Sequence, residues 1–210
     1  MEIRSRAVEW FLKSWVFSVL LCAYCVYFGY IHTRNLLADF DWFELLHLVF
    51  NVTMAALFLT RTRAVAVSMN PVHWIVAVVT SFSGFLFLKE GVNSVRALEL
   101  TADVLMIVAA VFTYGAALAL GRSFGFLPGL RRVKTAMVYR AVRHPMYFSS
   151  ILLRVGYVLR CPSLRNAVLL VLIAILYDRR ASYEEDIMSR DIAYSDYMKR
   201  VKYRFVPGLY

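Results

Sequence analysis

Charge is scarce in this chain. Asp, Glu, Lys and Arg make up 18% of its 210 residues against 60% hydrophobic ones, which is not the composition of a soluble domain. Glycine (nine) and proline (five) are few, and no repeat, low-complexity tract or long linker interrupts the chain, so one domain over residues 1–210 is expected. There are three cysteines. Cys22 and Cys25 lie inside an apolar run with no histidine or thiolate partner nearby, so neither a disulfide framework nor a metal site follows, and packed core thiols are the reading. Gly-x-Gly-x-x-Gly, the P-loop, His-Glu-x-x-His and Gly-x-Ser-x-Gly are all absent.

What fills the chain instead is apolar sequence of membrane length. Windows at about 12–30, 44–60, 72–88 and 97–120 are suited to cross roughly 30 Å of hydrocarbon as helices, and the mean hydropathy is +0.60. Two shorter windows, 145–159 and 164–177, flank Cys161-Pro162-Ser163 and predict a helical hairpin. Arg4, Arg6 and Lys13 precede the first window, but no small-residue cleavage site follows it. It reads as a retained span. The fold class expected is therefore all-α, a polytopic transmembrane helical bundle: four spans over 1–120, then a distinct region over 121–210.

The net charge of +10 does not argue for nucleic acid, because the basic residues are segregated by loop. With the N-terminus inside, 18 of the 24 Lys and Arg fall on cytoplasmic segments, and Arg34, Lys89, Arg96, Arg160 and Arg165 fall opposite. That asymmetry is the positive-inside pattern. Arg154 is left within a span, where a charge is costly, and internal pairing is expected of it. His47 and Asn51, four apart, are expected to bond between helices; Glu99 and Asp103 are expected at an interface.

The character of the chain changes at Gly121. Gly121, Gly125, Pro128 and Gly129 break helix, and a basic stretch follows as far as Pro145. Proline is favoured at the first helical position and pushes the residue before it out of helix, so His144 is expected just ahead of a helix start, whose amide groups favour an anion. Tyr139, Arg143, His144 and Tyr147 bracket that start and offer hydrogen bonds and flat faces. After Tyr177 the pattern predicts an amphipathic cytoplasmic helix with Tyr183, Ile187, Tyr194, Met198 and Val201 near one face. Arg180 and Glu184 share a face of it, beside Asp178, Arg179 and Glu185. From the chemistry alone, a ligand clamp and a surface ion pair stand level.

These elements, Tyr139 to Tyr147 with its Arg143-His144-Pro145-Met146-Tyr147 core, the Cys161-Pro162 turn, Arg180 followed by Glu184-Glu185, and 194–201, come in one order over 121–207. They resemble the isoprenylcysteine carboxyl methyltransferase family of integral-membrane enzymes, related to the phospholipid N-methyltransferases. The resemblance implies S-adenosylmethionine as cofactor, held by Arg131, Arg132, Val133, Lys134, Tyr139, His144, Pro145, Met146, Tyr147 and Glu185. It implies Arg180 and Glu184 as the catalytic pair at the substrate end, no metal, and a lipophilic or amphiphilic acceptor reached from the membrane lipid. Arg131, Arg132 and Met137 depart from the family pattern, Met137 standing where glycine is common.

The expected activity is O-methylation of a lipophilic carboxylate. The alternatives are N-methylation of a phospholipid or small amine, an NADPH-dependent membrane reductase, for which Arg131, Arg132 and Lys134 would suit a 2′-phosphate, and a scaffold or transporter. A soluble Rossmann-type methyltransferase is excluded. The compact loops lean toward a prokaryotic plasma membrane with the site facing the cytoplasm, the endoplasmic reticulum being the alternative.

Overall fold

The computed structural model describes residues 15–40, 42–88 and 95–209. Arg4, Arg6, Lys13 and Lys89 of the charge asymmetry, and the start of the first expected span, lie outside them. The described chain is mostly helical, in two compact units that exchange segments at Met69/Asn70, Ala119/Leu120 and Arg132/Val133.

The first unit is built on α1 (Trp15–Ala38) and α2 (Trp42–Thr60). They pack antiparallel, because polar ties occur at both ends of the pair. His32 Nδ1 meets Glu44 Oε2 at 2.6 Å near the connection, and Arg61 Nε donates to Ser18 Oγ at 2.7 Å at the far end. Asn51 does not bond across helices as expected. Its amide donates back to the His47 carbonyl one turn earlier, while the His47 ring lies against His32. The chain then pairs β1 (Ala66–Val67) antiparallel with β2 (Gly129–Leu130). Gly129 is required there, since a Cβ would stand 2.7 Å from the Ala66 carbonyl oxygen.

The second unit holds α3 (Pro71–Phe82), α4 (Arg96–Leu120, all but its last residue), α5 (Pro145–Arg160), α6 (Leu164–Met188) and α7 (Ile192–Arg200). Asn70 caps α3 by accepting the Val72 amide, with Pro71 at the first helical position. Asn166, fully buried, ties the turn between α5 and α6 to the chain after α3: its side chain donates to Leu88 O and Cys161 O and accepts from Leu88 N. α6 packs on both α3 and α5. Between α4 and α5 the backbones approach closely at Gly156, where a Cβ would lie 2.7 Å from Met106 Cγ and 3.0 Å from the Ala102 oxygen. Small residues at such crossings are what helix packing in lipid favours. Asp103 pairs with Arg160 across the same two helices.

Two helical stretches, Trp15–Ala38 and Arg96–Ser123, are long and apolar enough to cross a membrane, and Glu44–Thr60 and Pro71–Leu86 are shorter apolar helices. Val26, Ile107, Val111, Val171 and Ile175 point outward uncovered, an apolar exterior suited to lipid. This is an integral membrane protein.

The expected amphipathic helix after Tyr177 is not a separate element. α6 runs unbroken from Leu164 through Met188, because nothing between Tyr177 and Glu185 stops a helix, and polarity alone does not. The break falls at 189–191, where Asp191 caps α7 by accepting the Ala193 amide. Tyr183 and Ile187 thus belong to α6, and Tyr194 and Met198 to α7.

Replacing Gly156 with Leu drives a side chain into Met106 and the α4 backbone. Thermal unfolding in detergent is expected to show a loss of about 1–3 kcal/mol; an unchanged midpoint would mean that α4 and α5 do not meet there.

Candidate functional site

The site is assembled where the start of α5, the polar half of α6 and the C-terminal segment meet. A short turn of 3-10 helix, Met137–Arg140, precedes it, with Met137 at φ 53°, the left-handed region that favours glycine. The departure at Met137 thus falls where the backbone makes glycine the easier residue. Tyr139 is buried, and its carbonyl accepts the Tyr197 hydroxyl at 2.7 Å. Arg143 and His144 then pair with the chain's end: their amides donate to Tyr203 O (3.0 Å) and Arg204 O (2.9 Å).

That pairing delivers Arg204 to α6, and one carboxylate collects the result. Glu185 accepts from Arg143 Nε (2.8 Å), His144 Nε2 (3.0 Å) and Arg204 Nη2 (2.6 Å). Arg204 also reaches Asp178 at 2.6 Å and Ser182 Oγ at 3.2 Å. Asp178, Ser182 and Glu185 follow at helical spacing, so one face of α6 carries all three. Burial pushes the Glu185 carboxyl up, but the bonds from His144, Arg204 and Arg143 outweigh it and hold it down at about 2. Glu185 is a permanent anion.

Its neighbour on the chain has a different environment. Glu184 accepts the Tyr147 hydroxyl, lies 3.9 Å from Arg180 Nε and 4.0 Å from His144 Nδ1, and is partly exposed. The His144 and Tyr147 rings are parallel, 5.3 Å apart, with Tyr177 5.3 Å beyond. Arg180 stands over the Tyr147 ring, 5.0 Å from its centroid, but its Nη1 is engaged with Thr80 Oγ1 (2.9 Å), Ser81 Oγ (3.0 Å) and Ala77 O (3.3 Å) of α3. Burial and the adjacent Glu184 also raise the Tyr139 hydroxyl well above its ordinary range, so it stays a phenol.

His144, Tyr147, Arg180, Glu184 and Glu185 therefore come together, with Pro145 fully buried beneath them at the first position of α5. The His144 side chain does not cap that helix. Its carbonyl accepts both Tyr147 N and Phe148 N, so these two amides are already taken and the start of α5 offers an anion less than the sequence suggests. Met146 carries its side chain half-buried in the same turn. Val133 packs against the Tyr194, Tyr197 and Val201 cluster, and Lys134 is half-buried. Arg131 and Arg132 belong to the first unit, where Arg131 lies over Gly125 and donates to the Leu127 carbonyl.

Sequence reasoning gave Arg204 no role, named Asp178 only as a charge beside Arg180 and Glu184, and used Arg143 only as a flank. The spacing of Asp178, Ser182 and Glu185 was the available signal. Arg204 is one of several basic residues near the C-terminus, and nothing local distinguishes it.

Removing the shared acceptor with Glu185→Gln takes the carboxylate from two guanidinium groups, Arg204 keeping Asp178 and Arg143 keeping only backbone carbonyls. At neutral pH this is expected to cost about 3–5 kcal/mol of stability, the scale for breaking a buried pair. Because the folded value is lowered, the contribution is complete above the ordinary value of 4.5 and is lost as pH falls through about 2. Unfolding midpoints of wild type and variant should therefore converge across that window; a gap that stays constant would contradict the ionised hub.

No curated protein matches the chain. Residues 97–195, from the first turn of α4 to the first turn of α7, match the family model of phospholipid methyltransferases. Over that stretch, somewhat less than half the chain but including His144, Tyr147, Arg180, Glu184 and Glu185, the protein is similar to the phospholipid methyltransferases, and the match supports a membrane methyltransferase.

Proposed function

We propose that this protein transfers the methyl group of S-adenosylmethionine to the amine of an amphiphile. We further read the chain as multi-pass in a prokaryotic plasma membrane, its site on the cytoplasmic side, following the segregation of Lys and Arg. The observation that carries the choice of acceptor is the division between the two adjacent carboxylates. Glu185 meets two guanidinium groups and the His144 ring, whereas Glu184 has one hydroxyl bond and lies partly open.

The residues suit the donor. A sulfonium is a cation, and the partly open Glu184 carboxylate beside the His144 and Tyr147 rings offers it an opposite charge. When bound, S-adenosylmethionine supplies an electrophilic methyl group for displacement by the acceptor's lone pair. His144 and Tyr147, parallel and fixed through Glu185 and Glu184, would hold it, with Tyr139 and Pro145 behind them. Glu184 binds the incoming ammonium and, once donor and acceptor cover it, accepts its proton, leaving the amine lone pair free. Tyr147 orients Glu184 through its hydroxyl. Arg180, anchored on α3, fixes the face of Tyr147. The remaining work is alignment, which can supply roughly 7–11 kcal/mol.

The second reading, O-methylation of a lipophilic carboxylate, rests on the Arg180 guanidinium beside Tyr147. It asks a guanidinium held through Nη1 on α3 to engage the substrate with its remaining N–H groups, and to bring that carboxylate close to Glu184. The amine reading needs neither.

Detergent-purified protein supplied with methyl-labelled donor should label an aminophospholipid as an acid- and base-stable N-methyl product. Glu184→Gln should lower kcat by about 10²–10⁴, with a smaller loss for Tyr147→Phe. Base-labile label on a prenylated cysteine carboxylate would replace the amine reading with the carboxylate one. NADPH binding in place of donor binding would overturn both.

A further inference from the structure

The end of α7 and the segment after it line an open pocket of about 280 Å³. It is lined by Arg140, Arg200, Lys202, Tyr203 and Pro207, among others. Arg140 closes the 3-10 turn before His144, Arg200 is the last residue of α7, and Lys202 follows it. All three cations are exposed, and among the described residues none forms an ion pair with a carboxylate. Asp196, the nearest acidic residue along α7, is paired with Lys199 at 2.9 Å.

Three like charges around one concavity repel one another unless an anion joins them. The Val201 and Lys202 carbonyls are taken by Arg143 Nη1 at 3.0 and 2.8 Å, and Arg200 Nε makes a long bond of 3.4 Å to the Asp196 carbonyl. What the cavity presents is donors: two planar guanidinium forks, an ammonium and the Tyr203 hydroxyl. A tetrahedral oxyanion with several acceptor oxygens matches that set, and arginine forks match phosphate in particular.

We propose that this pocket binds a phosphate group, as an anionic lipid headgroup at the membrane surface or as free phosphate. Arg143 connects it to the methyl-transfer site, since the same guanidinium that holds the pocket's backbone donates to Glu185. The pocket does not rest on the proposed activity, and its test reads binding alone.

The full-length protein in a neutral detergent is unfolded thermally while inorganic phosphate, short-chain phosphatidic acid or short-chain phosphatidylcholine is titrated. A saturable rise in midpoint of about 3–8 °C is expected at saturation, weakened by salt. The double variant Arg140→Gln/Lys202→Gln, both surface changes, should keep its unliganded midpoint and bind at least about tenfold more weakly, the loss of two charge-assisted contacts. A rise with both anions, or with phosphatidic acid alone, or with phosphate alone, each upholds the pocket and tells the source. No saturable rise, a rise unchanged in the double variant, or an equal rise with phosphatidylcholine overturns it.

Discussion

A buried carboxylate cannot stand alone, and Glu185 is where that constraint organises the second unit. Taking an anion out of water is costly unless its lone pairs are filled by well-placed donors. Here the donors come from three parts of the chain: Arg143 and His144 before α5, and Arg204 near the C-terminus. None of the three can shift without stranding charge. The backbone pairing of 143–144 with 203–204 is the mechanical expression of the same demand, since it brings Arg204 within reach of α6 and lets Asp178 share it.

With Glu185 fixed, its neighbour is released for other work. Two consecutive carboxylates on a helix point about 100° apart, so Glu184 leaves the arginine cluster and meets Tyr147 instead. On the proposed function, the arrangement separates a structural anion from a catalytic one by a single step along the chain. It also orients His144, whose Nε2 is committed to Glu185 and whose Nδ1 faces Glu184. The sequence places Glu184 and Glu185 side by side without saying which is which; only the donors around them decide.

What could be read from the residues follows from how local the signal was. Pro145 at a helix start, the Arg180 and Glu184 spacing and the turn at Cys161 are set by neighbours within a few positions, and the structure has them as expected. The continuity of α6 was missed because a change from apolar to charged sequence marks a change of surroundings, not of backbone. The roles of Arg131 and Arg132, which lie in the first unit, came from resemblance over a continuous stretch and are matters for experiment. Arg204 is held by contacts 19 and 26 positions away, and no periodicity carries that. Lys134, Met146 and the roles of the other residues are matters for the experiments above, not for geometry.

The two buried arginines of the second unit are explained by the end of α3 more than by any acid. Arg154 donates to Ser150 O, Thr80 O and the Ser83 hydroxyl, Arg180 to Ala77 O, Thr80 Oγ1 and Ser81 Oγ, and the Tyr177 hydroxyl to Thr80 O. The last carbonyls of a helix lack intrahelical partners and carry partial negative charge, so α3 ending inside the bundle is itself an electronegative site. The pairing expected of Arg154 is met by carbonyls and hydroxyls, with its guanidinium also against the Tyr177 ring. Arg180 is then anchored from behind, and what it presents forward is a fixed positive face to Tyr147 and Glu184. An arginine held this way through Nη1 is suited to position an aromatic ring and a carboxylate, which is why the proposed function gives the acceptor to Glu184 and a positioning role to Arg180.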